Sequence, residues 1–369
     1  MPTRRHFLQR GLLASGGALA AGAMTNGLAA PPAARHDTWN MPDEGAAHAA
    51  TWMAFGPSRD IWGDRLLTVA RENLARIAQA IAAHEPVKML VREDDYDLAA
   101  RLCGPTVALI VQPIDDLWMR DTGPMFVKDA SSRAGAVDFN FNGWGNKQER
   151  DRDAEVARFV AAKAATQVIE TDLVLEGGGI EVDGNGTAIV TESCVLNPNR
   201  NPGLGKSECE AELARLLGVR KIIWLPGIAG EDITDGHTDF YARFTSPGVV
   251  AAGLDTDPES YDHDVTRRHL DILRQATDAH GRKLKVVVLE GPSSVRSRYE
   301  TDDFAAGYIN FYVRNGAVVA PEFGDARADR NVRDALRDLF PHREIIQLNI
   351  DGIAAGGGGI HCTTQQQPR

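Results

Sequence analysis

Beyond its first thirty residues the chain has no low-complexity tract and no Pro/Ser/Gly stretch that would serve as a linker. That excludes a string of tethered modules and predicts one folded body over residues 36–369. Cysteines are few. There are four in 369 residues, scattered at Cys103, Cys194, Cys209 and Cys362, which excludes a disulfide framework or a zinc knuckle. If one stays a free thiolate, the other three cannot all pair within the chain. No His-x-His or His-x-x-x-His spacing occurs, and His48, His84, His263, His280, His342 and His361 stand apart, so no metal centre is expected. Positive charge is also short. Forty basic against 51 acidic residues leave −11, which disfavours nucleic acid and anionic membrane and mildly favours cationic ligands.

The N-terminus stands apart from this body. Thr3 to Arg10 is basic, with Arg4 and Arg5 adjacent, and a weakly apolar run of Ala and Gly follows. That order is expected of a twin-arginine export signal over residues 1–30, cleaved after Ala23 or Ala30. The run is short and Gly-rich for a stable span, which takes ~20 strongly apolar residues. Its removal takes away three arginines and no acid, moving the net charge from −11 to −14. The expected address is the periplasm or outside the cell, with no stable membrane association after cleavage.

Helix-like and strand-like segments alternate through the body. Asp64 to Ala83 has helical spacing of Leu66, Leu67, Leu74, Ile77 and Ile81, and the apolar runs Val87–Val91 and Val107–Val111 read as strands. Asp153 to Ala165 and Lys206 to Leu217 read as amphipathic helices, and the strand Lys221–Leu225 follows the second. Leu284–Leu289 and Ile345–Leu348 are further short strands. This alternation predicts an α/β class, and taken alone a doubly wound sheet.

Polar residues gather where apolar runs give way to glycine, the usual place for chemistry on a rigid scaffold. Cys362 follows Gly356-Gly357-Gly358-Gly359-Ile360-His361 and precedes Thr363-Thr364-Gln365-Gln366-Gln367. Most lone cysteines are buried and inert. Here the glycine run and the polar tail favour a nucleophile instead, with Gly359 among the residues that bring backbone close to a ligand. A phosphate loop is excluded, because no Gly-Lys-Ser/Thr ends the run and no helix has room to follow it.

His237 lies between acids in Asp235-Gly236-His237-Thr238-Asp239. As a strand end this would turn His237 and Asp239 to one side, a base and an acid lining one pocket. Trp118-Met119-Arg120-Asp121-Thr122-Gly123-Pro124 offers an aromatic and a carboxylate, as a flat cation needs. The same segment also reads as a turn-capping aspartate beside a core tryptophan. Glu176, ahead of Gly177-Gly178-Gly179, has the same two readings.

Several segments together resemble one family. Met41-Pro42-Asp43-Glu44, Thr51 to Phe55, Trp118 to Pro124, Phe139 to Gly145 and Leu175 to Gly178 look like the agmatine deiminases and the related Porphyromonas-type peptidylarginine deiminases. Leu196 to Pro202, Asp235 to Asp239, Tyr308 to Tyr312 and Ile360 to Pro368 continue the match, in order, over nearly the whole body. The resemblance implies the pentein α/β propeller, five pseudo-symmetric ββαβ-type blades with the active site at the centre. It implies Cys362 as nucleophile, His237 as general acid/base, Asp121 and Asp239 as the carboxylates gripping a guanidinium, and Glu176 as support for the histidine or the cation. Trp118, Asn310, Asp235 and Gly359 would contact the substrate. The implied reaction is deimination through a covalent thiouronium, with no metal or organic cofactor.

The implied substrate is a small cationic guanidine, agmatine first, with peptidylarginine as the alternative. Phe240 follows Asp239 where the agmatine enzymes are expected to carry Asn. A homodimer is the expected assembly by family. A silent guanidine-binding protein would lack the thiol or the histidine, and both are present. A papain-like protease carries its cysteine early in the chain, whereas Cys362 leaves seven residues after it.

Overall fold

A computed structural model describes residues 38–301 and 303–369, so the export-signal expectation over residues 1–30 lies outside the described residues. Sixteen strands are present among them: β1 (His48–Phe55), β2 (Val87–Val91), β3 (Val107–Val111), β4 (Met125–Lys128), β5 (Ala134–Asp138) and β6 (Gln167–Glu170). There follow β7 (Ile180–Val182), β8 (Thr187–Thr191), β9 (Lys221–Leu225), β10 (Ala242–Ser246) and β11 (Val249–Leu254). The last are β12 (Lys285–Glu290), β13 (Tyr312–Arg314), β14 (Ala317–Glu322), β15 (Glu344–Asn349) and β16 (Gln365–Pro368).

These strands do not make one doubly wound sheet. They form five small sheets in the orders β16-β1-β2-β3, β4-β5-β6, β7-β8-β9, β10-β11-β12 and β13-β14-β15. In each, an antiparallel pair is extended by a parallel strand. A parallel neighbour needs a crossover. The helices Arg59–Ala82, Val156–Lys163, Lys206–Leu217, Asp262–Gln275 and Ala326–Leu339 provide one per sheet. This repeat fits five pseudo-symmetric blades. The doubly wound expectation failed because a β-α-β unit has the same local pattern in both architectures. What separates them is the short first strand of each blade, such as the three residues of β7 and of β13, too short to show a period.

The first blade is closed by the end of the chain. β16 pairs antiparallel with β1, Trp52 opposite Gln365 and Thr51 opposite Gln366. The segment carrying Cys362 is thereby anchored into the N-terminal blade, three residues before β16 begins.

Apolar residues pack between the helices and the sheets. Leu74, Ile77 and Ile81 of the long helix are fully buried with Met89, Phe311 and Val319. Each such side chain contributes about 1.5–3 kcal/mol by leaving water. The expectation of a helix from Asp64 to Ala83 is met by Arg59–Ala82, kinked at Gly63, whose φ is +60°. Ionisable groups are also buried: Arg120 and Arg243 with Glu44, Glu181 and His361. Buried charge persists only where it is paired. Arg243 bridges Glu44 and Glu181 at 2.8 and 2.7 Å. All four cysteines are buried and free. No helix among the described residues is long and apolar enough to cross a membrane.

Candidate active site

Each blade begins with a short segment that leads into its first strand, and these five segments carry the candidate residues. Asp121 precedes β4, Glu176 precedes β7, His237 and Asp239 precede β10, Asn310 precedes β13, and Cys362 precedes β16. One position, repeated five times, therefore assembles residues that lie up to 241 apart in sequence.

Cys362 sits in the single turn His361–Thr363 and is 6% exposed. Asn310 holds it from both sides of the peptide. Its Nδ2 donates to Sγ at 3.2 Å and its Oδ1 accepts from the Cys362 N–H at 3.3 Å. Asp239 Oδ2 lies 3.6 Å from the same sulfur. Burial first, then the Asp239 and Asp121 carboxylates, push the thiol well above its ordinary pKa, against the Gly359 N–H and Asn310.

His237 and the acids set the opposite charge. His237 Nε2 is 3.3 Å from Glu176 Oε2 and Nδ1 is 3.9 Å from Asp121 Oδ1. Burial disfavours an imidazolium, but Asp121, Cys194 and Glu176 outweigh it and hold the ring well above the ordinary histidine pKa. Glu176 is fixed from behind by Arg200 Nε at 2.9 and 3.1 Å. Burial would raise its pKa, and His237 with Arg200 reverse that to a lowered one. Asp121 is raised, chiefly by burial. It accepts from the Trp144 indole at 2.9 Å and the Gly178 N–H at 3.0 Å.

Asp239 is tied at one oxygen only. Oδ2 accepts from His361 Nδ1 at 2.7 Å, while Oδ1 is buried with no hydrogen-bond partner. Buried acceptors are rarely left so, and a bare carboxylate oxygen is costly unless a donor arrives. Around Gly178 the acids and the imidazole converge. A Cβ there would lie 2.5 Å from His237 Nδ1, 3.0 Å from Asp121 Oδ1 and 3.1 Å from Asp239 Oδ2. The absence of a side chain at Gly178 lets two carboxylates and an imidazole close in on one point.

The remaining expected residues are placed differently from one another. Asn310 is on the nucleophile. Gly359 approaches Asn310 rather than open space, since a Cβ there would meet its Oδ1 at 2.3 Å. Trp118 is packed against Gly358, stacks on Trp62 at 5.9 Å, and donates its indole N–H to Asp116 at 3.0 Å. Asp235 is not turned into the space. Its carboxylate pairs with Arg200 at 2.6 Å and Lys147 at 2.8 Å, so it braces the arginine behind Glu176 instead of facing a ligand.

Sequence reasoning overlooked His361, Trp144, Gly178, Cys194, Arg200 and Glu44. Trp144, Gly178 and Arg200 fall inside the segments that carry the resemblance, but their spacing gives no hint of the partner. Trp144 takes a left-handed φ of +52°, a strained backbone of the kind that collects at functional sites. Among the described residues, Glu176, Cys194 and His237 form one cluster of metal-ligand types. Its carboxylate already carries the Arg200 guanidinium, so the positive charge there is supplied by the protein.

The chain matches the profile of the Porphyromonas-type peptidyl-arginine deiminase family over residues 40–368. A putative agmatine deiminase of Streptomyces coelicolor is 44% identical over 340 residues, covering 90% of this chain and 99% of the relative. The agmatine deiminase of Stutzerimonas stutzeri is 38% identical, covering 90% and 96%. Among solved structures, the agmatine deiminase of Enterococcus faecalis superposes with a TM-score of 0.85 at 32% identity, covering 90% of this chain and 96% of that one. A putative arginine deiminase from Porphyromonas gingivalis gives 0.80 at 28% identity, covering 90% and 98%.

Proposed function

Because the chain belongs to the Porphyromonas-type peptidyl-arginine deiminase family, we propose that it is a hydrolase that converts agmatine and water to N-carbamoylputrescine and ammonia. The observation that carries this reading is the convergence beside Gly178 of the Asp121 and Asp239 carboxylates with the His237 imidazole, next to the Cys362 thiol.

A guanidinium carbon is a poor electrophile because its charge is spread over three nitrogens. Two carboxylates offset that charge, fix the plane, and hold the carbon near sulfur. The cation also reverses the electrostatics of the nucleophile. It offsets Asp239 and Asp121, whose charges raise the Cys362 thiol, and so favours the thiolate, the thiol proton passing to solvent. Sulfur then bonds to the guanidinium carbon to give a tetrahedral adduct. His237, held protonated, donates to one nitrogen, the C–N bond breaks, and ammonia leaves. His237 next takes a proton from water as the water oxygen bonds to the thiouronium carbon. Collapse breaks the C–S bond, returning Cys362 and the ureido product. Atoms balance with water alone, so no cofactor is required.

Agmatine ranks before peptidylarginine because relatives at 38 and 44% identity carry the agmatine deiminase name. The buried site suits a slender guanidinium tail, with Cys362 at 6% and His237 at 2% exposure. Residues 1–30 are assigned to twin-arginine export to the periplasm or beyond, and the assembly to a homodimer. Arg4→Lys with Arg5→Lys should leave the protein unexported in cell fractions, and sedimentation should read the dimer mass.

The deciding assay supplies purified protein with agmatine, free arginine and an arginine-containing peptide, and reads ureido product with ammonia. Agmatine should turn over fastest. Preference for the peptide would move the assignment to protein deimination. Turnover undiminished in Cys362→Ser, or no turnover of any guanidine by the wild type, would overturn the mechanism.

A further inference from the structure

His361 immediately precedes the nucleophile, is 2% exposed, and has a carboxylate on each ring nitrogen. Nδ1 is 2.7 Å from Asp239 Oδ2 and Nε2 is 2.8 Å from Glu44 Oε2. Glu44 in turn is the meeting point of several blades. It accepts from Arg120 Nη2 at 3.0 Å ahead of β4, pairs with Arg243 Nη2 at 2.8 Å in β10, and accepts from the Val313 N–H of β13 at 2.8 Å. Among the described residues, His361 is the side chain that hydrogen-bonds both this hub and the carboxylate beside the sulfur.

We propose that His361 is a positioning residue that acts through Asp239, fixing the orientation of its carboxylate and moderating the charge beside Cys362. The proposal rests on the deimination reading above.

Two features carry it. The first is the asymmetry of Asp239. A carboxylate free to rotate about its Cα–Cβ and Cβ–Cγ bonds would find some donor for both oxygens. This one is pinned at Oδ2 and has an unpartnered Oδ1, though both lie in the interior. A fixed, unsatisfied acceptor is what a planar N–H donor needs, and its order is set before the ligand arrives. The second feature is the sulfur. The oxygen that His361 bonds is also the one 3.6 Å from Cys362 Sγ. An N–H drawn onto that oxygen takes up part of its charge, so the thiol ionises more readily than it would beside an unbonded carboxylate.

The groups facing His361 are Asp239 and Glu44 on its nitrogens and the guanidinium groups of Arg120 and Arg243 around it. Burial first, then the two arginines, lower its pKa, while Glu44 and Asp239 oppose them. The bond to Asp239 needs only the proton on Nδ1, which the neutral tautomer supplies as well as the imidazolium does. Glu44 keeps Arg120, Arg243 and Val313 in either case.

The shape of the imidazole allows a test that separates the two ends. In His361→Asn the amide N–H falls near the place of Nδ1, keeping the donor to Asp239 and losing Glu44. In His361→Gln it falls near the place of Nε2, keeping Glu44 and losing Asp239. KM for agmatine should rise roughly tenfold or more in His361→Gln and stay within about threefold in His361→Asn, since a bond to a charged group is at stake. The pH profile of iodoacetamide alkylation at Cys362, assigned by peptide mass, should shift to higher pH in the Gln variant alone.

Alkylation involves no substrate, so it still tests His361 if the deimination reading fails for want of turnover. Thermal midpoints check that both variants fold. If the Gln variant does not, His361→Ala with added imidazole replaces it, and restored KM and alkylation profile are expected. A purely structural role through Glu44 predicts the reverse order, with Asn the damaged variant. That order, or equal effects of Asn and Gln, or no restoration by imidazole, overturns the proposal.

Discussion

Asp239 sets one carboxylate oxygen 3.6 Å from the sulfur of Cys362 and leaves its other oxygen buried without a partner. The first contact raises the thiol, and the second is an acceptor suited to a cationic N–H donor. The two effects come apart in Asp239→Asn. Removing the charge removes one of the causes that raise the Cys362 thiol, after burial the largest. Alkylation at fixed neutral pH should therefore become faster. Deimination should fall by roughly a thousandfold or more, because the guanidinium loses one of its two anions. Slower alkylation would show that Asp239 does not set the thiol's charge.

Glu176 supports the protonated form of His237, together with Asp121 and Cys194, against burial. In Glu176→Gln the charge 3.3 Å from Nε2 is gone and the imidazolium loses support. The sign follows directly. His237 serves as an acid only below its pKa in the folded protein, so activity is present below that value and lost above it. The variant's alkaline limb of kcat against pH should move to lower pH, with kcat reduced roughly ten- to a thousandfold. A limb that stays in place would remove Glu176 from the control of His237.

How far these relationships were legible in the chain depends on their range. Val87–Val91, Val107–Val111, Lys206–Leu217 and Lys221–Leu225 are bounded in the structure at the residues where apolar periodicity starts and stops, since local pattern and tertiary burial agree there. Helix Lys206–Leu217 ends against Gly218 at φ +70°, which supplies the left-handed cap. Sheet membership was not legible, because nothing local tells a parallel strand which hairpin it will join. In the site, Cys362, His237 and the acids stood out as residue types beside glycines. Glu44 and His361 did not, because their meaning lies in a contact 317 residues apart that only the closure of β16 onto β1 creates. Asp235 misled for the same reason: its neighbour His237 enters the site while its own carboxylate turns back to Arg200.

Gly178 is the most economical place to crowd the acids and the imidazole that would hold the guanidinium. A methyl group there would stand 2.5 Å from His237 Nδ1 and 3.0 and 3.1 Å from Asp121 Oδ1 and Asp239 Oδ2. The φ of Gly178 is not positive, so the backbone tolerates alanine and the effect is one of volume. Gly178→Ala should raise KM for agmatine by at least about a hundredfold, with a stability loss of ~1–3 kcal/mol from overpacking, read by urea unfolding. Near-normal KM would place the guanidinium elsewhere.

Asp116 lies under the tryptophan stack and is coordinated as a double clamp. Oδ1 accepts from the Trp62 indole at 2.8 Å and Oδ2 from the Trp118 indole at 3.0 Å, with the Leu117 N–H also on Oδ1 at 2.9 Å. Asparagine keeps one acceptor oxygen, so in Asp116→Asn one indole must face an N–H and the stack at 5.9 Å should loosen. Tryptophan fluorescence should shift to the red, and KM should rise roughly three- to thirtyfold with kcat less affected, since neither ring is a reacting group. Stability gives an independent reading. Burial, against these donors, raises the Asp116 pKa from 3.8 to about 6. A raised folded pKa means that the stability this group contributes is complete below the unfolded value and lost as pH rises through the folded one. Between pH 3.8 and about 6 the wild type should therefore lose on the order of 2–3 kcal/mol through this group, and the variant should not. The unfolding free energy of Asp116→Asn relative to wild type should climb by that amount across the interval. Parallel pH curves would mean that Asp116 is not the buried carboxylate that titrates there.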